Sequence, residues 1–445
     1  MEQLAAGLAQ GAFSARTLLD HYLERIERLN PQVNAVVALD PGATRAADES
    51  DARHKAGRAL GPLDGLPVTI KDNLLTRDCR TTWGSPLYRN YIPDHDEAPV
   101  ARLRAAGGVL IGKTNTPELA LRGYTDNPVF GVTRNPWDLE LTPGGSSGGA
   151  AAALALGLAP LALATDGGGS TRRPAAYTGL VGLKPGIDRI ARADGFPALM
   201  LDCEVAGVLA RTVGGARLMF EALAETTPPE PTGPARILVV ERFGDASVDP
   251  LMADRCREAG AQLAALGHEV SAGPLPFAID AAMAAWREAS LAGLAMLAKS
   301  EPRFFDLSAS DYAAQAREGQ SLGAKAQARI VETFTAFRAE TARAFERIDA
   351  ILTPVNAAPA WPIPEPYPGE IDGRPAGPRG HAIYTGWVNA CGHPAISLPV
   401  APGEDGLPVG VQLVGAPGAD ERLLAIAAGF EAAHPWADRW PELAG

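Results

Sequence analysis

Cysteine is scarce in this chain, and its scarcity excludes two classes of protein. The 445 residues contain four cysteines, at positions 79, 203, 256 and 391. No two of them show the spacing of a zinc site, and together they lack the pattern of a disulfide-rich secreted domain. We therefore predict reduced thiols, a cytoplasmic location and no metal site. No motif indicates an organic cofactor, so we expect none.

Positive charge and long apolar runs are also lacking. The formal net charge is −12, whereas nucleic acids and anionic membranes attract clustered Lys and Arg. The longest apolar run, residues 150–164, is interrupted by Gly157 and Pro160 and is shorter than the ~20 residues that span a membrane. The first residues lack the basic and apolar parts of a secretory signal. We predict a monomer or homodimer with a small-molecule substrate and neither a nucleic-acid nor a membrane partner.

The alternation of an α/β protein is present. Apolar residues make up 46% of the chain and charged residues 21%, as in folded globular proteins. Short β-branched runs alternate with apolar residues at helical spacing, which predicts a mixed or parallel sheet surrounded by helices. We predict one domain over 1–445 in four parts: N-terminal helices (1–65), a core (66–225), a mainly helical insertion (230–350) after a connector at 226–234, and the C-terminal part of the core (351–445).

Two familiar motifs occur in contexts that do not suit them. Residues 107–114 (GGVLIGKT) match the phosphate-loop spacing, but Val109–Ile111 would form a strand where that motif needs a flexible loop. Residues 144–148 (GGSSG) match the serine elbow of α/β hydrolases, yet the preceding WDLELTP is a poor strand. Only His381 and His393 stand in suitable late positions. A Ser-His-Asp esterase is therefore the lesser alternative.

Lysine gives the first sign of chemistry. Only six of the 40 basic residues are lysines, and Lys71 stands at the end of the apolar strand LPVTI. A buried lysine can lose its proton near neutral pH, whereas an arginine cannot. Ser170 closes the run TDGGGS, whose glycines can aim backbone N–H groups at one point, as an oxyanion hole requires. Each has a structural alternative: Lys71 could pair with Asp72, and Ser170 could belong to an ordinary glycine turn.

These residues lie in longer segments that resemble the amidase signature enzymes. The segments are PLDGLPVTIKDN, GKTNTPELA, NPVFGVTRNPWD, TPGGSSGGAAAA, TDGGGSTRRPAAYTGLVGLKP, NACGHPAISLP and GLPVGVQLVG. They fall within residues 10–225 and 350–430, in the order and spacing of that family. The resemblance implies a mixed β-sheet core that is surrounded by α-helices. It also implies catalysis by a lysine, a serine in a cis peptide and a nucleophilic serine, without a cofactor.

The resemblance, carried over by motif position, assigns roles to nine residues. Lys71 is the base, Ser146 the bridging serine and Ser170 the nucleophile. Three oxyanion-hole glycines and three residues that hold the loops complete the set: Gly167, Gly168, Gly169, Ser147, Asp166 and Arg172. Proton transfer from Ser170 through Ser146 to neutral Lys71 would replace the imidazole of a histidine triad.

Departures from the family pattern bear on the substrate. Gly167 stands where Thr or Ile is usual, which predicts room for a bulky acyl group. Ala120 and Leu121 of ELALRGY fall where related sequences line their pocket. Arg173 matches an arginine that holds a substrate carboxylate in some malonamidase-like members, although a salt bridge that locks the loop is the alternative. The stretch 191–202 could close over the substrate as an apolar lid or belong to the core.

We predict a stand-alone hydrolase that cleaves the C–N bond of amides through an acyl-enzyme. Carbamates and esters are further candidate substrates. Gly186 after LKP, and the loop that follows it, differ from the glutamyl-tRNA amidotransferase A subunits of the family. An A subunit that works only within a complex is therefore the second hypothesis.

Overall fold

The strands of this chain form one large mixed sheet and one small hairpin. The computed structural model describes residues 1–225 and 233–445. Its strands are Val36–Leu39 (β1), Pro67–Lys71 (β2), Val109–Thr114 (β3), Leu161–Asp166 (β4), Val181–Lys184 (β5), Val205–Ala210 (β6), Arg236–Val239 (β7), Glu269–Ala272 (β8), Ala350–Pro354 (β9), Glu370–Ile371 (β10), Arg374–Pro375 (β11), Ala395–Pro399 (β12) and Gly410–Gly415 (β13). The large sheet has the order β1-β3-β2-β4-β6-β5-β12-β13-β9-β7-β8. The predicted mixed sheet surrounded by helices is confirmed.

Helices occur throughout the described residues, and several of them pack against this sheet while others pack on neighbouring helices. They are Glu2–Ala9 (α1), Ala15–Val33 (α2), Ala43–Lys55 (α3), Ala98–Ala105 (α4), Gly148–Ala155 (α5), Arg172–Thr178 (α6), Val213–Ala224 (α7), Pro250–Ala265 (α8), Asp280–Ser300 (α9), Phe304–Leu307 (α10), Ser310–Gln320 (α11), Ala324–Ala344 (α12), Gly386–Cys391 (α13) and Asp420–Ala433 (α14). No described helix is both long and apolar enough to cross a membrane.

Local signals in the sequence explain several of these elements. Ser14 caps α2, since its side chain accepts a hydrogen bond from the Thr17 N–H at 3.0 Å. That helix continues through Pro31 to Val33, although proline has no N–H to donate, and the Asn34 N–H closes its last turn on the Asn30 carbonyl at 2.8 Å. The segment 107–114 contains the buried strand β3, which confirms that it is no phosphate loop.

The predicted helical insertion also contributes to the sheet. Helices α8–α12 lie within 230–350, but β7 and β8 from the same segment pair in parallel and extend the sheet beside β9. Most of the predicted connector at 226–234 lies outside the described residues. The division of the chain into four parts of one domain stays a prediction.

The sheet brings the ends of two strands together. β2 and β4 are parallel neighbours, with Ile70 opposite Leu163, so their carboxyl ends meet at one edge. β2 ends at Lys71, and β4 ends at Asp166, just before the glycine run. Residues that are far apart in sequence therefore meet at this edge.

Candidate active site

Lys71 is surrounded by hydroxyl groups rather than carboxylates. Its side chain is fully buried, and Nζ lies 2.8 Å from Ser146 Oγ and 3.1 Å from Thr165 Oγ1. Burial lowers the pKa of Lys71 to about 7, against the opposing effect of the negative charges of Glu204 and Asp166. A neutral amine near physiological pH has a lone pair that can accept a proton.

Ser146 lies in the turn that leads into α5. The peptide bond between Gly145 and Ser146 is cis, as the family resemblance implies. The next residue, Ser147, joins this turn to the glycine run. Its hydroxyl donates to the Thr165 carbonyl at 3.2 Å, and its backbone N–H donates to the Ser170 carbonyl at 3.3 Å. The two serine-bearing segments are therefore held together by direct hydrogen bonds.

Ser170 is the most accessible member of the predicted triad. It keeps 6% of its surface, against 1% for Ser146 and 0% for Lys71. Its hydroxyl donates to the Thr165 carbonyl at 2.9 Å and accepts a long hydrogen bond from the Gly167 N–H at 3.4 Å. The hydroxyl must therefore turn away from Thr165 before it can pass a proton towards Ser146.

One of the three predicted oxyanion donors already has a strong acceptor. The Gly169 N–H donates to Asp166 Oδ1 at 2.7 Å. Gly169 also has a φ of +104°, and the side chain of Thr385 occupies the space that a β-carbon there would need. Within residues 1–225 and 233–445, the Gly167 N–H makes only its long contact with Ser170. The predicted donor set therefore narrows to Gly167 and Gly168.

A buried ion pair supports the glycine run from behind. Arg172 binds Asp166 through Nε–Oδ2 and Nη2–Oδ1 contacts of 3.0 and 2.9 Å. Further N–H groups of Arg172 donate to Gln412 at 2.9 Å and to Asn389 at 2.7 Å. Burial alone would raise the pKa of Asp166, but the charge of Arg172 holds it below its usual range. This bidentate, fully bonded pair fixes the loop.

The expected room beside Gly167 is filled by the protein, so that prediction is wrong. A β-carbon on Gly167 would collide with Cε of Met200, which is buried in an apolar cluster. Nearby, Phe196 stacks on Trp83 with ring centroids 4.5 Å apart. These contacts favour the alternative in which Phe196, Leu199 and Met200 belong to the core rather than to a lid.

A cavity of about 1190 Å³ lies beside the serine turn. Tyr124 lines it, and a β-carbon on Gly145 would lie only 2.8 Å from the Tyr124 backbone nitrogen. Leu121, one of the predicted pocket residues, also lines the cavity. Ala120 precedes it with a φ of 56° and is half-buried. Ser146 and Ser170 are not among the residues that line this cavity, but Tyr124 joins its wall to the turn before Ser146, which makes the cavity a candidate substrate site beside the predicted catalytic turn.

Arg173 is buried next to a neutral histidine. Its Nη1 lies 3.0 Å from His381 Nε2, and burial lowers the pKa of Arg173 to about 10. Burial, followed by the charges of Arg173 and Arg379, lowers the pKa of His381 well below its usual value. In the described part of the chain, no carboxylate lies within ion-pair distance of Arg173, so the alternative of a locking salt bridge is not present. Its role in substrate binding stays a prediction.

Four polar residues around Lys71 escaped the sequence analysis. Asn73 donates to Thr165 Oγ1 at 2.9 Å and to Glu204 Oε1 at 3.2 Å, and Arg192 donates to Glu204 at 2.6 Å. Asn73 and Thr165 stand in the KDN and TDGGGS motifs, so a signal for them was available. Glu204 arrives through the antiparallel pairing of β6 with β4, which no local pattern reveals.

The histidines of the esterase alternative bond to groups other than the serines. His393 contacts the Gly415 carbonyl at 2.8 Å and Thr341 Oγ1 at 3.1 Å. His381 contacts Arg173 and packs at a tilt against Trp361, with ring centroids 4.7 Å apart. These contacts give no support to a Ser-His-Asp arrangement.

Several solved structures with this fold are described as hydrolases or amidases. The 6-aminohexanoate cyclic dimer hydrolase complexed with substrate has a TM-score of 0.88 and 29% identity, covering 100% of this chain and 98% of that one. A structure described as an amidase has a TM-score of 0.89 and 31% identity, covering 97% and 99%. A bacterial aryl acylamidase of the amidase signature family has a TM-score of 0.88 and 26% identity, covering 99% and 97%.

Sequence comparison leads to the same family through different relatives. The A subunit of the glutamyl-tRNA(Gln) amidotransferase from Symbiobacterium thermophilum is 36% identical, over 95% of this chain and 94% of its own length. The corresponding protein from Synechococcus sp. strain CC9902 is 34% identical, over 96% and 94%. The family model described as Amidase matches residues 17–424. The chain therefore belongs to the amidase family.

Proposed function

We propose that this amidase hydrolyses small amides as a stand-alone enzyme, with Ser170 as the nucleophile. The observation that carries the proposal is the 2.8 Å contact between Lys71 Nζ and Ser146 Oγ in a fully buried setting. A lysine whose pKa is lowered to about 7 can act as a general base at neutral pH. The hydrogen bond of 3.3 Å from the Ser147 N–H to the Ser170 carbonyl keeps the loop of the nucleophile beside the bridging serine.

The proposed chemistry is a double-displacement reaction. Lys71 accepts the hydroxyl proton of Ser146 while Ser146 accepts that of Ser170, and Ser170 Oγ attacks the carbonyl carbon. The N–H groups of Gly167 and Gly168 stabilise the oxyanion. When the C–N bond breaks, the proton returns from Lys71 through Ser146 to the leaving nitrogen. Water then loses a proton to the same relay and attacks the acyl-enzyme, and the relay returns that proton to Ser170 Oγ as its bond to the acyl carbon breaks and the acid is released.

Hydrolysis by the purified chain, without any added protein, tests this proposal. The panel consists of aryl amides, short amides, carbamates and dicarboxylic monoamides. We expect equal amounts of acid and amine from at least one amide, and none from the Ser170→Ala variant with an unchanged circular dichroism spectrum. If the wild-type chain hydrolyses no member of the panel between pH 7 and 9, the stand-alone function is wrong.

The curated relatives favour a second candidate, the A subunit of a glutamyl-tRNA(Gln) amidotransferase. Sequence identity of 36% over nearly the whole chain supports this alternative more than the stand-alone function. The solved structures, which are hydrolases and amidases, support hydrolysis without a partner. A chain that is inactive alone and becomes active when the other subunits of such an amidotransferase are added would establish the second candidate.

Carbamates and esters are further proposed substrate classes. A carbamate presents the same carbonyl to the same N–H donors but is less electrophilic, so it depends more on positioning. Met200 fills the space beside Gly167, which removes one argument for a broad acyl pocket, while Leu121 contributes one apolar side chain to the cavity wall. Comparing kcat/KM for an aryl amide and its matched aryl carbamate tests this: a ratio above about 10⁴, roughly 5.5 kcal/mol, would confine the enzyme to amides.

We also propose a cytoplasmic enzyme that works as a monomer or homodimer without a nucleic-acid partner. All four cysteines are free and buried, and the net charge of −12 disfavours nucleic acid. Light scattering of the purified chain tests the oligomeric state, and a larger assembly would contradict the proposal. Ala120, Leu121 and Arg173 remain the proposed substrate-binding residues, with Leu121 supported by its place in the cavity wall.

A further inference from the structure

Arg379 is a cation at the cavity wall without an acidic partner. In the described part of the chain, no Asp or Glu lies within ion-pair distance of its guanidinium. The side chain is accessible from the cavity and rests on Trp286, with Cζ 4.4 Å from the centroid of that ring. A cation held on an aromatic face keeps its N–H edge free to bind an anion.

The other charged groups of the same wall are already paired. Arg122 binds Asp311 at 2.9 Å, and Arg287 binds Glu318 at 3.0 Å. Asp311 therefore cannot serve Arg379 without leaving Arg122 unpaired. Among the described residues, the charge that stays without a counter-ion at this cavity is positive, although the net charge of the chain is −12.

Arg379 also lies beside the proposed oxyanion loop. Its Nη2 is 3.3 Å from the point where a β-carbon on Gly168 would stand. Trp286, which supports it, donates Nε1–H to the Gly167 carbonyl at 3.1 Å. A group bound by this guanidinium would therefore lie close to the carbonyl that Ser170 attacks.

A second guanidinium makes an anion more favourable there. Arg173 lies close enough that its charge, together with desolvation as the larger effect, lowers the pKa of Arg379 to about 9. Arg173 is bonded to neutral His381 rather than to an acid. Two like charges without a carboxylate between them repel each other, and a bound anion would relieve that repulsion.

We propose that Arg379 binds a carboxylate of the substrate and thereby determines specificity for amides that carry one. The proposal rests on the proposed function and names its substrate class. A planar guanidinium binds a carboxylate through two parallel N–H bonds. Because Arg379 is adjacent to Gly168, the carboxylate must be joined to the scissile carbonyl by a short spacer, as in a monoamide of a dicarboxylic acid.

Matched 4-nitroanilides test the proposal. The anionic substrates are the monoanilides of succinic and glutaric acid, and the neutral ones are the anilides of butyric and valeric acid. We expect Arg379→Gln to raise KM for the anionic pair by roughly ten- to a hundredfold, since a hydrogen bond to a charged group is lost, and to leave the neutral pair nearly unchanged. Arg379→Lys should recover part of the loss.

Arg374→Gln is the matched control. Arg374 lies in the same segment, and its Nη1 donates to the Asp245 carbonyl at 3.0 Å. The control removes the same charge at a position that does not line the cavity. The KM values of all four substrates should therefore stay unchanged. An equal loss for anionic and neutral substrates in Arg379→Gln would overturn the proposal, because it would indicate a role at the oxyanion or in supporting Trp286. No loss for either would also overturn it.

Failure of the proposed function would look different. If the wild-type chain hydrolyses none of the four anilides, calorimetric titration with succinate and glutarate still tests the anion site on the intact chain. We expect binding that weakens at least tenfold in Arg379→Gln and is unchanged in Arg374→Gln. Equal binding by wild type and Arg379→Gln, or no binding by either, would overturn the inference.

Discussion

The structure surrounds two buried charges of the site, Asp166 and Lys71, in opposite ways. Both stand at the ends of parallel neighbouring strands. Asp166 has a bidentate arginine, Arg172, and stays ionised. Among the described residues, Lys71 has only hydroxyl groups within hydrogen-bond distance, and its pKa falls to about 7. Burial is common to both, so the partner decides which group supports the fold and which can react.

Substitutions around Lys71 and substitutions around Asp166 should therefore affect activity and stability differently. Removing a group on the Lys71 side should abolish activity and spare stability, because the proposed relay moves protons and holds little structure. Removing a group on the Asp166 side should cost stability, because it leaves a buried charge without its counter-ion.

Ser170→Ala gives the largest expected effect. The rate should fall by about 10⁴- to 10⁶-fold, as for other nucleophile deletions in serine hydrolases. The urea midpoint of unfolding should stay at its wild-type value, because in the described part of the chain the hydroxyl makes only one short hydrogen bond, to Thr165. Activity above one hundredth of wild type would show that another group is the nucleophile.

Lys71→Ala should lower kcat/KM by about 10³-fold or more, since members of a relay act as a unit. Initial rates measured from pH 7 to 9 check this. Lys55→Ala, at an exposed position, is the matched control and should match wild type. Near-normal rates for Lys71→Ala across that range would refute the relay.

Asp166→Asn should destabilise the chain by about 3–5 kcal/mol, because Arg172 would be left as a buried, unpaired charge. Urea unfolding followed by fluorescence measures the change. Asp20→Asn breaks the exposed Arg16–Asp20 pair of 2.9 Å and should leave stability nearly unchanged. If both variants unfold at the same urea concentration, the ion pair is not the support that its geometry indicates.

The smallest expected effects come from Glu204 and Arg192, two charged residues near Lys71 that do not bond to it directly. The carboxylate of Glu204 raises the pKa of Lys71, whereas Arg192 lowers it. Glu204→Gln should therefore move the acid limb of kcat/KM to lower pH, and Arg192→Gln should move it to higher pH, each by at most about one unit. Shifts of the same sign in both variants would show that the two residues act through structure rather than charge.

The motifs predicted the neighbourhood of the site well because they are local. Lys71 ends an apolar strand, and Ser146 and Ser170 sit in glycine-rich turns, so short segments carry all three. The meeting of these segments follows from the parallel pairing of β2 and β4. Their individual roles stay predictions.

Residues supplied by distant elements could not be predicted in this way. Arg379 and Trp286 come from a loop and a helix whose approach to the glycine run depends on long-range packing. The same reason explains the error at Gly167: the sequence shows a missing side chain, but only the packing of Met200 shows that the space is occupied. Composition carries no information on such contacts.

The pH dependence of kcat/KM for the wild-type enzyme is the most direct test of Lys71 as the general base, because it reports the protonation of the base in the free enzyme. Lys71 must be neutral to accept a proton, so activity should rise through a single limb centred near pH 7 and stay high above it. His381→Asn and His393→Gln should leave the position of that limb unchanged. If the limb moves in either histidine variant, or if activity falls as the pH rises through 7, Lys71 is not the base.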